Sequence, residues 1–206
     1  MEEPRKRPYS EANIRDARGS IGNTPNALGR DLVNYVRDLG LPTLEEFEGK
    51  KILDLGSGVG LLFARDLKSS GVNADVVSFS PAFAHEGIRK NAQEILPEDK
   101  AGKLMVAGMG EELPFRDATF DIVVCHSVVQ WLDSTERYIT LLSEVTRVLV
   151  QDGRAYIGPM VGRGMVGFAD KIPKEELERI LNGRAEVSWA QWNNKSDTFR
   201  LTLRKT

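Results

Sequence analysis

Apolar residues change their period several times along the chain, and each change marks an element. From Pro25 to Gly40 the positions Leu28, Leu32, Tyr35, Val36 and Leu39 recur at helical spacing, which predicts a helix stopped by Gly40. A polar link with Glu45, Glu46 and Glu48 follows. The run Lys51-Ile52-Leu53-Asp54-Leu55 is short and apolar and passes at once into Gly56-Ser57-Gly58-Val59-Gly60, the pattern of a buried strand leaving through a glycine loop. Leu61 to Lys68 then reads as a helix and Asp75 to Phe79 as a second strand. Pro81 to Leu96 reads as a further helix, with Ser80 as N-cap, Pro81 at its first position and His85 solvated near its start.

The alternation continues with a third strand near Lys103 to Ala107 and a fourth over Phe120 to Cys125. Ser134 to Leu149 places Tyr138, Leu141, Leu142, Val145, Val148 and Leu149 on one helical face, and Arg154 to Gly158 supplies a fifth strand. Strands separated by helices predict an α/β fold whose parallel sheet carries helices on both faces. The tail differs: Lys174 to Leu181 is helical, and Ala185 to Trp192 with Thr198 to Arg204 forms an antiparallel hairpin around Asn193-Asn194-Lys195-Ser196. Residues 1–24 show no sustained period and read as an arm, free or folded over the site as a lid, ahead of a domain spanning 25–206.

Composition narrows the chemistry. The 206 residues carry 28 basic and 30 acidic side chains, a net charge of −2, which argues against broad binding to a phosphate backbone. No apolar run reaches the roughly 18 residues of a membrane span, and the charged start has no leader pattern behind it. Cys125 is the one cysteine, so no internal disulfide forms, and two histidines with one thiol make no zinc site without carboxylates. A cytoplasmic setting is therefore the expectation.

The glycine loop is the first candidate for chemistry, because residues without Cβ let backbone approach a ligand. Tight strand-to-helix packing alone would also account for it. Its spacing is G-x-G-x-G, and the third glycine of a dinucleotide fingerprint would fall on Leu61. No Gly-Lys-Ser/Thr follows, which removes the P-loop. Further segments follow in order: Ser80-Pro81, Glu111-Glu112-Leu113-Pro114-Phe115, Thr119-Phe120-Asp121-Ile122-Val123-Val124, Val129-Gln130-Trp131-Leu132, Glu144-Val145-Thr146-Arg147-Val148-Leu149 and Asp152-Gly153. With Ile52 to Gly60, these make residues 50–160 resemble the class I S-adenosylmethionine (SAM)-dependent methyltransferases, particularly the type 11 small-molecule group that includes menaquinone and biotin pathway enzymes.

The resemblance implies a Rossmann-like, seven-stranded sheet in the order 3-2-1-4-5-7-6 with an antiparallel last strand, filled here without a large inserted substrate domain. It implies SAM as cofactor and methyl transfer to an O, N or C nucleophile, and the lack of a large insertion points to a small acceptor or one presented by a protein partner. By the same resemblance Asp54, Gly56, Ser57, Gly58 and Gly60 lie beneath the methionyl end of SAM. Ser78 and Phe79 lie at the ribose, and Met109 and Gly110 at the adenine, with Glu111 within reach of the adenine amino group. Two positions depart from the family pattern. Ser78 and Met109 stand where acidic residues usually contact ribose and adenine. This departure motivates a second reading, a degenerate fold that binds or regulates a partner without catalysis.

Cys125-His126-Ser127 falls at the carboxyl edge of the sheet, where ligands bind in doubly wound folds. His126 is either a general base or a residue that stacks on the cofactor or caps the strand. Cys125 reads as a core thiol. Trp131 serves packing or substrate stacking, and the segment from Gly158 to Met165 is an acceptor-pocket wall or a plain connector.

Overall fold

The computed structural model describes residues 30–95, 105–129, 132, 134–161, 174–191 and 198–206. The arm at 1–24, the start of the first predicted helix, Leu96, the start of the third strand, Gln130, Trp131, the segment 162–173 and the hairpin turn lie outside them.

Seven strands form one sheet: β1 (Lys51–Leu55), β2 (Asp75–Phe79), β3 (Met105–Val106), β4 (Phe120–His126), β5 (Leu149–Val161), β6 (Ala185–Gln191) and β7 (Thr198–Lys205). Their order is β3-β2-β1-β4-β5-β7-β6, with β7 antiparallel to both neighbours. The helices are α1 (Leu32–Leu39), α2 (Leu62–Ser69), α3 (Glu86–Ile95), α4 (Thr135–Val148) and α5 (Lys174–Ile180). Among the described residues none is long and apolar enough to cross a membrane.

The near-continuous apolar run of β1 is explained by burial on both faces. Leu53 and Leu55 face a core with Val123, Tyr138, Leu141 and Leu142, covered by α4 and α5. Ile52 faces a second core with Val76, Val124, Tyr35 and Phe63, covered by α1 and α2. Asp54 shares this second face, since side chains alternate along a strand. It is fully buried.

Several elements differ from the sequence reading. Pro81 to Leu96 is not one helix: a 3-10 turn occupies Pro81–Ala84 and α3 begins only at Glu86, because His85 adopts extended backbone (φ −92°, ψ 123°) between them. Ser80 does cap the turn, accepting from the Ala82 N–H at 3.3 Å. His85 is half-buried rather than solvated, with Nδ1 enclosed and unpartnered. The fifth strand starts at Leu149, directly after α4, and continues past Gly158 to Val161 beside β7. The polar link after Gly40 contains a 3-10 turn at Leu44–Phe47, held by the fully buried Phe47.

Candidate functional site at the carboxyl ends of the strands

The glycine loop joins β1 to α2. Gly56 has φ +82° and Gly58 φ +68°, the left-handed region that a Cβ disfavours. At Gly56 space is as restrictive as conformation, since a Cβ there would stand 2.1 Å from Cγ2 of Val128, just after β4. The Gly56 and Ser57 amides both donate to the Phe79 carbonyl, at 2.8 and 3.3 Å, which stitches the loop to the end of β2. Ser57 is buried, and its hydroxyl donates to the Gly58 carbonyl at 3.2 Å. Leu61 enters α2 from the left-handed region (φ 49°) and packs on Phe83 and Ile88.

Asp54 registers with Ser78 on β2 and with Val124 on β4, so these side chains leave the sheet on one face. Ser78 is fully buried, and its Oγ has no hydrogen-bond partner. One oxygen of Asp54, Oδ1, accepts from the Tyr35 hydroxyl at 2.7 Å, while Oδ2 is buried and unpartnered. Burial pushes the Asp54 carboxyl up to about 7, and the Tyr35 hydrogen bond acts in the opposite sense.

His126 ends β4 on the same face but is not open at the edge: only 4% of it is exposed. Its Nε2 lies 3.0 Å from Oδ2 of Asp38 on α1, and Nδ1 has no partner. Burial lowers the pKa of His126 in spite of Asp38, so the imidazole is neutral near pH 7. Burial raises the Asp38 carboxyl, but hydrogen bonds from Arg37 and His126 outweigh it and the net shift is downward. The pair is thus Nε2–H donating to a carboxylate. The neighbouring Cys125 is fully buried, and burial, with Asp54 beside it, raises its thiol far above the ordinary range.

Beyond β3, Gly108 packs against Phe79, and Gly110 fits against Leu141 and Leu55, where a Cβ would come within 2.6 Å of Leu141 Cδ1. Met109 is half-buried and forms a bridge with Glu112, whose N–H donates to the Met109 carbonyl at 3.1 Å. Glu111 is engaged elsewhere, accepting from Arg137 Nε at 2.6 Å. The following residues are pinned to α4 by Arg147, which donates to the carbonyls of Phe115 (2.8 Å) and Leu113 (3.0 Å) and to Asp117 (2.8 Å).

Sequence reasoning missed Tyr35 and Asp38. One signal was present: Asp38 lies three residues after Tyr35, on the same helical arc as Leu32, Tyr35 and Leu39, where a polar side chain needs a buried partner. Among the described residues no group of three or more His, Cys, Asp and Glu is placed to hold a metal ion.

Apart from Tyr35 and Asp38 on α1, these features lie between β1 and β5, and residues 53–157 match the family model described as "Methyltransferase domain". The chain belongs to this methyltransferase family. Its relatives include the biotin biosynthesis bifunctional protein BioHC of Cellvibrio japonicus, 30% identical over 68% of this chain and 24% of that protein. A malonyl-[acyl-carrier protein] O-methyltransferase of Geobacter sulfurreducens is 35% identical over 57% of this chain and 41% of its own length. An 18S rRNA (guanine-N(7))-methyltransferase of Bos taurus is 30% identical over 52% of this chain and 37% of its own. This chain therefore spans between about a quarter and two fifths of the length of these curated relatives. In fold it is similar to a TehB-like SAM-dependent methyltransferase of Corynebacterium glutamicum, with TM-score 0.63 and 24% identity over 96% of this chain and all of the other.

Proposed function

We propose that this methyltransferase uses SAM and transfers its methyl group to an O, N or C nucleophile of a small acceptor. The observation that carries the reading is the cradle at Gly56. Left-handed backbone, a wall at Val128 and two amides tied to Phe79 hold the loop against the ends of β1, β2 and β4, where no side chain intrudes from Gly56 or Gly58. The donor set suits the cofactor. Asp54 has a buried, unmatched oxygen suited to an ammonium, and Ser78 a buried, unmatched hydroxyl suited to a ribose hydroxyl.

Gly56, Ser57, Gly58 and Gly60 would hold the methionyl end, Ser78 and Phe79 the ribose, and Met109 and Gly110 the adenine. When bound, SAM supplies an electrophilic methyl carbon on a sulfonium. The protein's part is to align the reacting groups and exclude water, and alignment alone removes several kcal/mol of barrier, up to about 7–11 in favourable cases. His126 is given an anchoring role here, because its Nε2 is committed to Asp38 and its side chain is enclosed. The small acceptor is favoured by the resemblance to small-molecule enzymes, and charge does not decide the matter, since an rRNA methyltransferase is among the relatives.

Calorimetric titration with SAM and S-adenosylhomocysteine, with NAD as control, tests the reading. Micromolar binding of either sulfur compound supports it. Absence of binding at millimolar concentration would replace it with the non-catalytic reading.

A further inference from the structure

Tyr35 stands at the centre of a buried polar arrangement that the glycine loop does not explain. Its ring stacks on Phe63 with centroids 4.6 Å apart and is flanked by His126 at 5.0 Å. His126 is in turn held by Asp38, one helical turn after Tyr35. A ring fixed from two sides leaves its hydroxyl little freedom, and that hydroxyl donates to Asp54 Oδ1. A carboxylate with one oxygen held and the other buried and unmatched requires a donor, and the surrounding described groups supply none to Oδ2. Two residues further on, the chain enters the glycine loop at Gly56.

We infer that Tyr35 is a positioning residue for ligand binding: it holds Asp54 by one oxygen so that the other accepts the ammonium of the amino-acid end of SAM. The inference rests on the cofactor reading proposed above and adds to it a residue outside the segment 53–157 that matches the family.

The charged and titratable groups around Asp54 determine how this is tested. Tyr35 from α1 and Cys125 from β4 interact with Asp54 itself, and the neighbouring His126 interacts with Asp38, Arg37 and Arg30. Burial and the adjacent Asp54 raise the Tyr35 phenol, and burial raises the Cys125 thiol, so both stay protonated at neutral pH. His126 is held neutral and Asp38 ionised. Asp54 is then the member of this cluster whose charge changes near neutrality. Removing the Tyr35 hydroxyl removes the contact that favours its ionised form.

The experiment is calorimetric titration of S-adenosylhomocysteine, which carries the same ammonium, into the whole protein from about pH 6 to about pH 8.5. Wild-type affinity is expected to rise with pH and level off above about 7, the Asp54 value. Tyr35→Phe keeps the ring and is expected to move this midpoint upward, weakening binding about 3- to 10-fold near neutrality and converging on wild type at the alkaline end. Asp54→Asn is expected to bind weakly and without the pH dependence. In the ligand-free protein the Asp54 carboxyl 13C resonance should titrate later in Tyr35→Phe than in wild type. An unmoved midpoint, or the same loss at every pH, would overturn the inference while leaving the cofactor reading intact. Absence of wild-type binding at every pH overturns both.

Discussion

Nε2 of His126, at the end of β4, lies 3.0 Å from Oδ2 of Asp38 on α1, and the pair joins positions 88 residues apart across a buried seam. The helix that leads into the domain is thereby tied to the strand end that forms one side of the site. Tyr35, from the same helix, reaches Asp54 on β1. Two adjacent strands are thus held by a single helical turn.

This pair makes stability depend on pH in a defined direction. Burial places the folded-state pKa of His126 below its ordinary 6.5, so the unfolded chain takes up its proton first as pH falls. The contribution of His126 is full above about 6.5 and is lost as pH falls from there towards its lower folded value. Thermal unfolding of wild type and His126→Gln from about pH 7.5 to pH 5 should show the wild-type advantage shrinking with acidification. Asp38→Ala leaves a buried imidazole without its acceptor and should cost about 2–4 kcal/mol at pH 7, read as a lowered denaturation midpoint.

Gly56→Ala should be damaging on two independent grounds, the φ of +82° and the 2.1 Å approach to Val128. A loss of about 1–3 kcal/mol is expected in chemical denaturation, with loss of S-adenosylhomocysteine binding. Adding Val128→Ala removes the clash but not the backbone strain, so the double variant should recover part of the stability. Full recovery would show that conformation contributes nothing at Gly56.

Arg147 is a planar clamp: it donates to both Glu144 oxygens, each at 2.7 Å, while also holding the Leu113 and Phe115 carbonyls. Arg147→Lys preserves charge but not the fork, so it should destabilise by about 1–3 kcal/mol. Amide hydrogen exchange should rise over residues 111–118 more than in β1 or β4.

Ser78→Asp supplies two charged acceptors where one unmatched hydroxyl stands. It should tighten S-adenosylhomocysteine binding about 10-fold at alkaline pH. The gain should shrink below neutrality, because Asp54 lies beside it in register and carboxyls so placed resist ionising together. Unchanged or weaker affinity at alkaline pH would place the ribose contact elsewhere.

The alternation of elements, the strand order and the loop at Gly56 were legible along the chain because each rests on local chemistry. An apolar run flanked by glycine reads as a buried parallel strand, and β1 and β2 fall where that pattern places them. The break at His85 was not legible, since Pro81 and the following residues carry helix-compatible chemistry on both sides of it. The full length of β5 was hidden for a related reason: Leu149 continues the apolar face of α4 in sequence, and pairing with β4 draws it into the strand beside Phe120.

What sequence alone determined is the scaffold, because hydrophobic period and turn residues act over a few positions at a time. It also located the glycine loop, whose left-handed backbone demands residues without Cβ. Tertiary structure decided the polar interior of the site. His126 read as a residue at an open edge until α1 closed over it, and Asp54 and Ser78 became partly or wholly unmatched only when burial removed them from water. Those properties depend on which groups meet across long separations, as Tyr35 meets Asp54 and Asp38 meets His126, and on the loss of solvent that packing enforces.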